Sequence, residues 1–198
     1  MEYIYKAVDF LKSPEKSFDS VKGKKIGEAF KFVLIVALIF AVLNGVVAGL
    51  MLSYTPILAA TLPLIVISVI VVSYIGIIIF LTIWGLWLHL WAYIFGARRG
   101  LEQTIKAVYY GNSPVYLLGW LVWIPVILII PSIWSLVLQG IGLKKLQGMN
   151  TGKAASAMVI AIIIPLVIAL TVFMTILATF MTMGGSFGGL GSLGPRMV

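Results

Sequence analysis

FVLIVALIFAVLNGVVAGLML, residues 32–52, carries no Asp, Glu, Lys or Arg, and the uncharged run continues to residue 97. Two further runs, 107–143 and 154–195, are equally free of charge. A helix needs about 20 apolar residues to cross a hydrocarbon core of about 30 Å. Runs of this length in a chain of 198 residues therefore place most of the protein in lipid. Composition agrees: 62% of the residues are hydrophobic and 10% charged, against about 25% charged in an average soluble domain.

The charges between the runs set a topology. Apart from Lys6 and Arg196, the basic residues fall in three islands, at 12–31, 98–106 and 144–153. The turns at 53–62 and 125–131, marked by Pro56, Pro63, Pro125 and Pro131, are neutral. Cytoplasmic loops collect Lys and Arg. Five spans, near 30–52, 62–95, 103–124, 126–143 and 154–183, put all three islands on one side. The expectation is an all-α membrane protein with its N-terminus cytoplasmic and its C-terminus outside. Residues 62–95 fit one long tilted helix, a helix with an extra turn outside the bilayer, or two short spans, with a kink at Ser73 and Gly76. The organisation expected is 1–30 as an interfacial segment, 31–183 as the membrane domain and 184–198 as a flexible Gly/Ser-rich tail.

Within the first thirty residues, Ile4, Ala7, Val8 and Leu11 share a helical face. Ser13 suits an N-cap, Pro14 the first helical position and Glu15 the positive helix end. Phe18 and Val21 continue an apolar face. Two short amphipathic helices lying on the membrane are expected. With net charge +8 placed beside apolar runs, the expected partners are anionic lipid headgroups, with membrane proteins or a second copy of the chain beside them, and no nucleic acid.

Chemistry-bearing residues are few. There is no cysteine and one histidine, so no zinc site is expected. The six acidic residues all lie in the N-terminal segment or at Glu102, whereas intramembrane carboxylates mark ion and proton pathways. No cofactor, metal or catalytic constellation is expected, and no enzymatic activity. His89 reads either as a gate or relay, or as a neutral imidazole bonded near the interface. Trp84, Trp87 and Trp91 share one face, as a ligand cage or an interfacial belt. Ala37, Ala41, Gly45 and Gly49 form a small-residue ladder that lets helices approach closely; its partner is another span or a second copy. Asn44 stands beside the ladder as a bonding group across a helix interface. The most functional-looking feature is the break at Tyr110, Gly111, Asn112, Ser113 and Pro114. Pro114 cannot donate to the helix ladder, and irregular backbone at membrane depth survives only where protein or water satisfies it. The break is a packing kink or the wall of a polar cavity.

Several of these residues occur in a pattern that resembles the Yip family of five-span membrane proteins, which includes Rab/Ypt-interacting proteins of vesicle traffic and prokaryotic relatives. The pattern is Leu11-Lys12-Ser13-Pro14 with Phe18, the island from Gly96 to Gly100 followed by Glu102-Gln103-Thr104, and the Tyr110-x-x-x-Pro114 spacing. Gly142-Leu143-Lys144 followed by Lys153-Ala154 completes it. Tyr109 stands where the family motif has Gly. For a prokaryotic-type member the resemblance implies a non-enzymatic protein that organises or shapes membrane or scaffolds other membrane proteins. The alternative from the residues is a small transporter or channel with its path near the third-span break.

Overall fold

The structure is a computed structural model describing residues 2–55, 60–121 and 124–190, with the side chains at 125–127 and 182–190 outside the description. Pro56 falls outside the described residues, as does 191–198. Among the described residues eight α-helices follow in order: α1 Glu2–Lys12, α2 Pro14–Val21, α3 Ile26–Leu52, α4 Leu62–Ile94, α5 Leu101–Gly111, α6 Ser113–Leu118, α7 Pro125–Gln147 and α8 Thr151–Leu190. A 3-10 turn, Gly119–Leu121, follows α6. No strand occurs among the described residues. Among the described residues three helices are long and apolar enough to cross a membrane: α3, α4 and, in α8, Thr151–Met181. The chain divides into two units, Met1–Met158 and Val159–Val198.

Residues 62–94 form one helix of 33 residues, about 50 Å long, with no break at Ser73 or Gly76. Pro131 lies inside α7, not in the turn expected between Pro125 and Pro131. It removes one ladder bond, and the apolar run on both sides continues the helix. α8 runs to Leu190, through the first residues of the expected flexible tail. No proline stands between Pro165 and Pro195, and Gly costs a helix only about 1 kcal/mol per residue. Much of α8 in the second unit presents apolar side chains outward, Leu166 and Phe173 among them.

In the first unit, α3 and α4 cross where a Cβ on Gly45 would overlap Ile70 and one on Gly49 would lie 2.8 Å from Val66 Cγ2. Ala37 and Ala41 are fully buried on the same helix. The ladder thus faces another helix of this chain. Asn44 Nδ2 donates to Ser73 Oγ across the crossing at 2.9 Å.

The N-terminal pair is docked onto the protein. Ser13 breaks it into α1 and α2 without a side-chain cap. Ala7, Phe10, Phe18 and Val21 are fully buried, while Ile4 remains 38% exposed. Phe10 stacks on Tyr110 at 4.9 Å and 11° and meets Phe18 edge-on at 4.9 Å. Phe32 of α3 closes the cluster, 4.9 Å from Tyr110. Each buried ring stabilises the fold by about 1.5–3 kcal/mol through area removed from water. Lys106, 1% exposed, reaches out of α5 to the end of α2, donating to the carbonyls of Lys24 at 2.7 Å and Lys22 at 3.3 Å. Those carbonyls belong to the helix end and the turn after it, where intrahelical donors run out.

Ion pairs fasten α2 to the last turn of α7. Glu15 meets Lys144 and Lys145, each at 3.3 Å, and Asp19 meets Lys145 at 2.8 Å. Hydrogen bonds from Lys144 and Lys145 hold the Glu15 carboxyl below its usual range. Asp19, more than Glu15, raises Lys145. A depressed carboxylate contributes stability above its unfolded value of about 4.3, and loses it as pH falls through the lower folded value. Glu15→Gln is therefore expected to lower the thermal midpoint slightly at pH 7, and the difference from wild type to shrink as pH falls below about 4.3 and to vanish only below the lowered folded value. A difference unchanged in acid would separate the contact from the Glu15 charge.

Candidate functional site

The helix break is built around one carbonyl. α5 ends at Gly111, Asn112 caps it, and α6 begins at Ser113 with Pro114 in its first turn. Pro114 has no N–H to give the Tyr110 carbonyl. Ser113 Oγ donates there instead, at 2.6 Å. Tyr110 and Ser113 are fully buried and Asn112 is 6% exposed. The Tyr110 carbonyl, left without its helical partner, is thus satisfied by protein.

A chain of donors leads away from the break. Trp84 Nε1 of α4 donates to Gln139 Oε1 at 2.7 Å, Gln139 Nε2 to Ser135 Oγ at 3.1 Å, and Ser135 Oγ to Asn112 Oδ1 at 2.9 Å. Ser135 and Gln139 are each 2% exposed. Every bond points the same way, and bonds so aligned polarise one another in a low-dielectric interior. Gly111 permits this approach, because a Cβ there would lie 2.9 Å from the Gln139 backbone nitrogen. At the far end, Lys6 Nζ stands 4.8 Å above the Tyr110 ring and 3.4 Å from its hydroxyl. Burial among these rings lowers the Lys6 pKa, with the Lys24 charge adding to the shift.

His89 belongs to a second network. Its Nδ1 lies 2.9 Å from Thr104 Oγ1, which also accepts from Gln147 Nε2 at 2.9 Å. Gln147 Nε2 donates as well to the Gly100 carbonyl at 2.7 Å, and its Oε1 accepts from the Arg99 N–H at 3.0 Å. Thr104 lies about 12 Å along α5 from Asn112. His89, Asn44 and the break therefore occupy three separate places and do not line one path. Trp87 and Trp91 meet edge-on at 5.5 Å, while Trp84 has its own role in the donor chain. Among the described residues no three His, Cys, Asp or Glu side chains gather as metal ligands do.

Sequence reasoning missed Phe10, Lys106, Ser135 and Gln139. Only the last two left a signal, a polar pair at i and i+4 on one helix face within an uncharged run.

Apolar helices of spanning length, with a buried, self-satisfied helix break among them, define an integral helical membrane protein. The Yip1 domain matches residues 8–176, and the chain belongs to that family. No curated protein and no solved structure matches it.

Proposed function

We propose that the protein is a non-enzymatic organiser of membrane, one that shapes the bilayer or scaffolds other membrane proteins. In this reading it crosses five times, with α5–α6 and α7 as the third and fourth spans, N-terminus inside and C-terminus outside. The basic islands then all meet the anionic inner leaflet, each Lys or Arg near that surface being worth about 1 kcal/mol. The observation that carries the proposal is the closure of the break. Its carbonyl and side chains bond to one another, and Phe10 and Lys6 of α1 cover Tyr110. A conduction path through this point would have to displace α1 and break the Trp84–Gln139–Ser135–Asn112 chain. Membership of the Yip1 domain family supports the same reading.

Reconstitution into anionic vesicles tests it. Rising protein density is expected to narrow or tubulate the vesicles in electron micrographs while an entrapped small-ion dye stays inside. Round vesicles with a leak that Pro114→Leu abolishes, in a variant that still folds, would move the function to transport.

A further inference from the structure

We propose that the loop at 95–100 and the segment 148–153, a turn running into the start of α8, together form a binding site for the phosphate of an anionic phospholipid headgroup, with Arg98, Arg99 and Lys153 as its ligands. This deepens the inner-leaflet reading above and rests on it.

The two segments exchange cations. Arg99 lays its guanidinium on Gly148, whose Cβ position is 2.8 Å from the guanidinium carbon. Lys153 returns across to Gly96, its Nζ 3.7 Å from the corresponding point there. Gly96, Gly100 and Gly148 all have positive φ, at 104°, 87° and 70°, a backbone that side chains resist. The glycines thus keep both the turns and the close approach. Two cations distant in sequence are gathered into one patch, and Arg98 adjoins Arg99.

The patch is held from beneath. The Arg99 N–H is fixed by Gln147, which is 4% exposed and also binds Gly100 and the fully buried Thr104. Asn150 Oδ1 accepts from the Lys153 N–H at 2.7 Å, fixing the first turn of α8, whose positive dipole end favours an anion.

Its charge is also uncompensated. The ion pairs among the described residues join Glu15 and Asp19 to Lys144 and Lys145, and none engages Arg98, Arg99 or Lys153. A guanidinium has five N–H donors in a fork that fits phosphate. Arg98 commits Nη1 to the carbonyls of Tyr93 and Ala97, and Arg99 commits Nη1 to that of Leu146. The remaining donors of both are open.

The surroundings select a lipid over a free anion. The end of α4 beside the patch exposes Leu90, Tyr93 and Ile94 by 50%, 55% and 59%. Arg98 stacks on the Tyr93 ring at 4.3 Å, the placement of an interfacial aromatic with its cation at headgroup level. A phosphate on these cations would run its acyl chains down an already apolar face.

The test uses the full chain in detergent micelles, its thermal midpoint followed against added dioleoylphosphatidylglycerol, dioleoylphosphatidylcholine or inorganic phosphate. Phosphatidylglycerol is expected to raise the midpoint, and the other two to leave it unchanged. In Arg98→Gln/Arg99→Gln/Lys153→Gln the apparent affinity should fall about a hundredfold, given roughly fivefold per cation near an anionic surface. Lys153→Gln alone, whose side chain bears on no carbonyl cap, should lose about fivefold and covers the case of a triple variant that misfolds. In Lys22→Gln/Lys24→Gln/Lys25→Gln, whose charges lie outside the site, the affinity should fall clearly less than in the triple loop variant. Loss in the Lys22–Lys25 variant with retention in the loop variants would overturn the site and leave the inner-leaflet reading standing. No preference of the wild type for phosphatidylglycerol over phosphatidylcholine would overturn both. An equal response to inorganic phosphate would make it a free-anion site and overturn the lipid.

Discussion

Phe10→Ala is expected to destabilise the protein by about 3–5 kcal/mol, the range for truncating a fully buried aromatic. The ring touches Phe18, Phe32 and Tyr110 at once. Its loss empties the centre of the cluster that holds α1 and α2 to the membrane helices. The effect should be local first, because α2 keeps its ion pairs to α7 and its Lys106 cap. The chain contains no cysteine, so an introduced thiol reports without background. Ala7→Cys, at a fully buried position, should resist maleimide in the parent and react rapidly when combined with Phe10→Ala. Phe10→Leu keeps most of the volume and should restore most of the protection. Equal labelling with and without Phe10→Ala would mean that α1 does not depend on this cluster.

That α1 docks on protein could not be read from its sequence, and the reason is a phase error. Ile4, Ala7, Val8 and Leu11 make a plausible helical stripe. The buried stripe is centred instead on Ala7 and Phe10, which leaves Ile4 at the edge. A short helix with several apolar residues permits either choice, and only the ring cluster on α3 and α5 selects one. Lys106 misled for a related reason. It sits in a basic island whose other members face water, and nothing local distinguishes the one lysine that turns inward to the carbonyls of Lys22 and Lys24. By contrast, the existence of α3, α4 and α8 was legible, because an uncharged run is a property of composition and needs no partner, although α3 starts at Ile26 rather than near 30 and α8 spans Thr151–Leu190 rather than 154–183.

The break divides along the same line. Pro114 and Asn112 announce it, since a missing N–H and a polar side chain inside an apolar run are local facts. Gln139 and Ser135 complete it from another helix, and a single sequence does not pair them with Asn112. Nor does it say that His89 bonds Thr104, well away from Asn112. What the structure adds is therefore mostly partners, and the partners separate a closed polar break from an open one.

Gly111→Ala tests that closure directly, with Gly76→Ala as its counterpart. Alanine is favoured over glycine in a helix by about 0.5–1 kcal/mol. At Gly76 nothing lies within 4 Å of the added Cβ, so the variant is expected to gain up to that amount. At Gly111 the new atom would stand 2.9 Å from the nitrogen and 3.0 Å from the Cα of Gln139. Those are backbone atoms, which cannot rotate aside, so α5 and α7 must part. Overpacking of this kind costs about 1–3 kcal/mol, leaving a net loss of up to about 2.5 kcal/mol after the propensity gain. The loss should carry a signature. Moving Gln139 withdraws the acceptor from Trp84 Nε1, so tryptophan emission should shift in Gly111→Ala and stay unchanged in Gly76→Ala. Denaturant titration in mixed micelles reads both signs. If the two variants move stability in the same direction, then the close approach at Gly111 does not hold the break shut, and the case for a closed scaffold loses its main support.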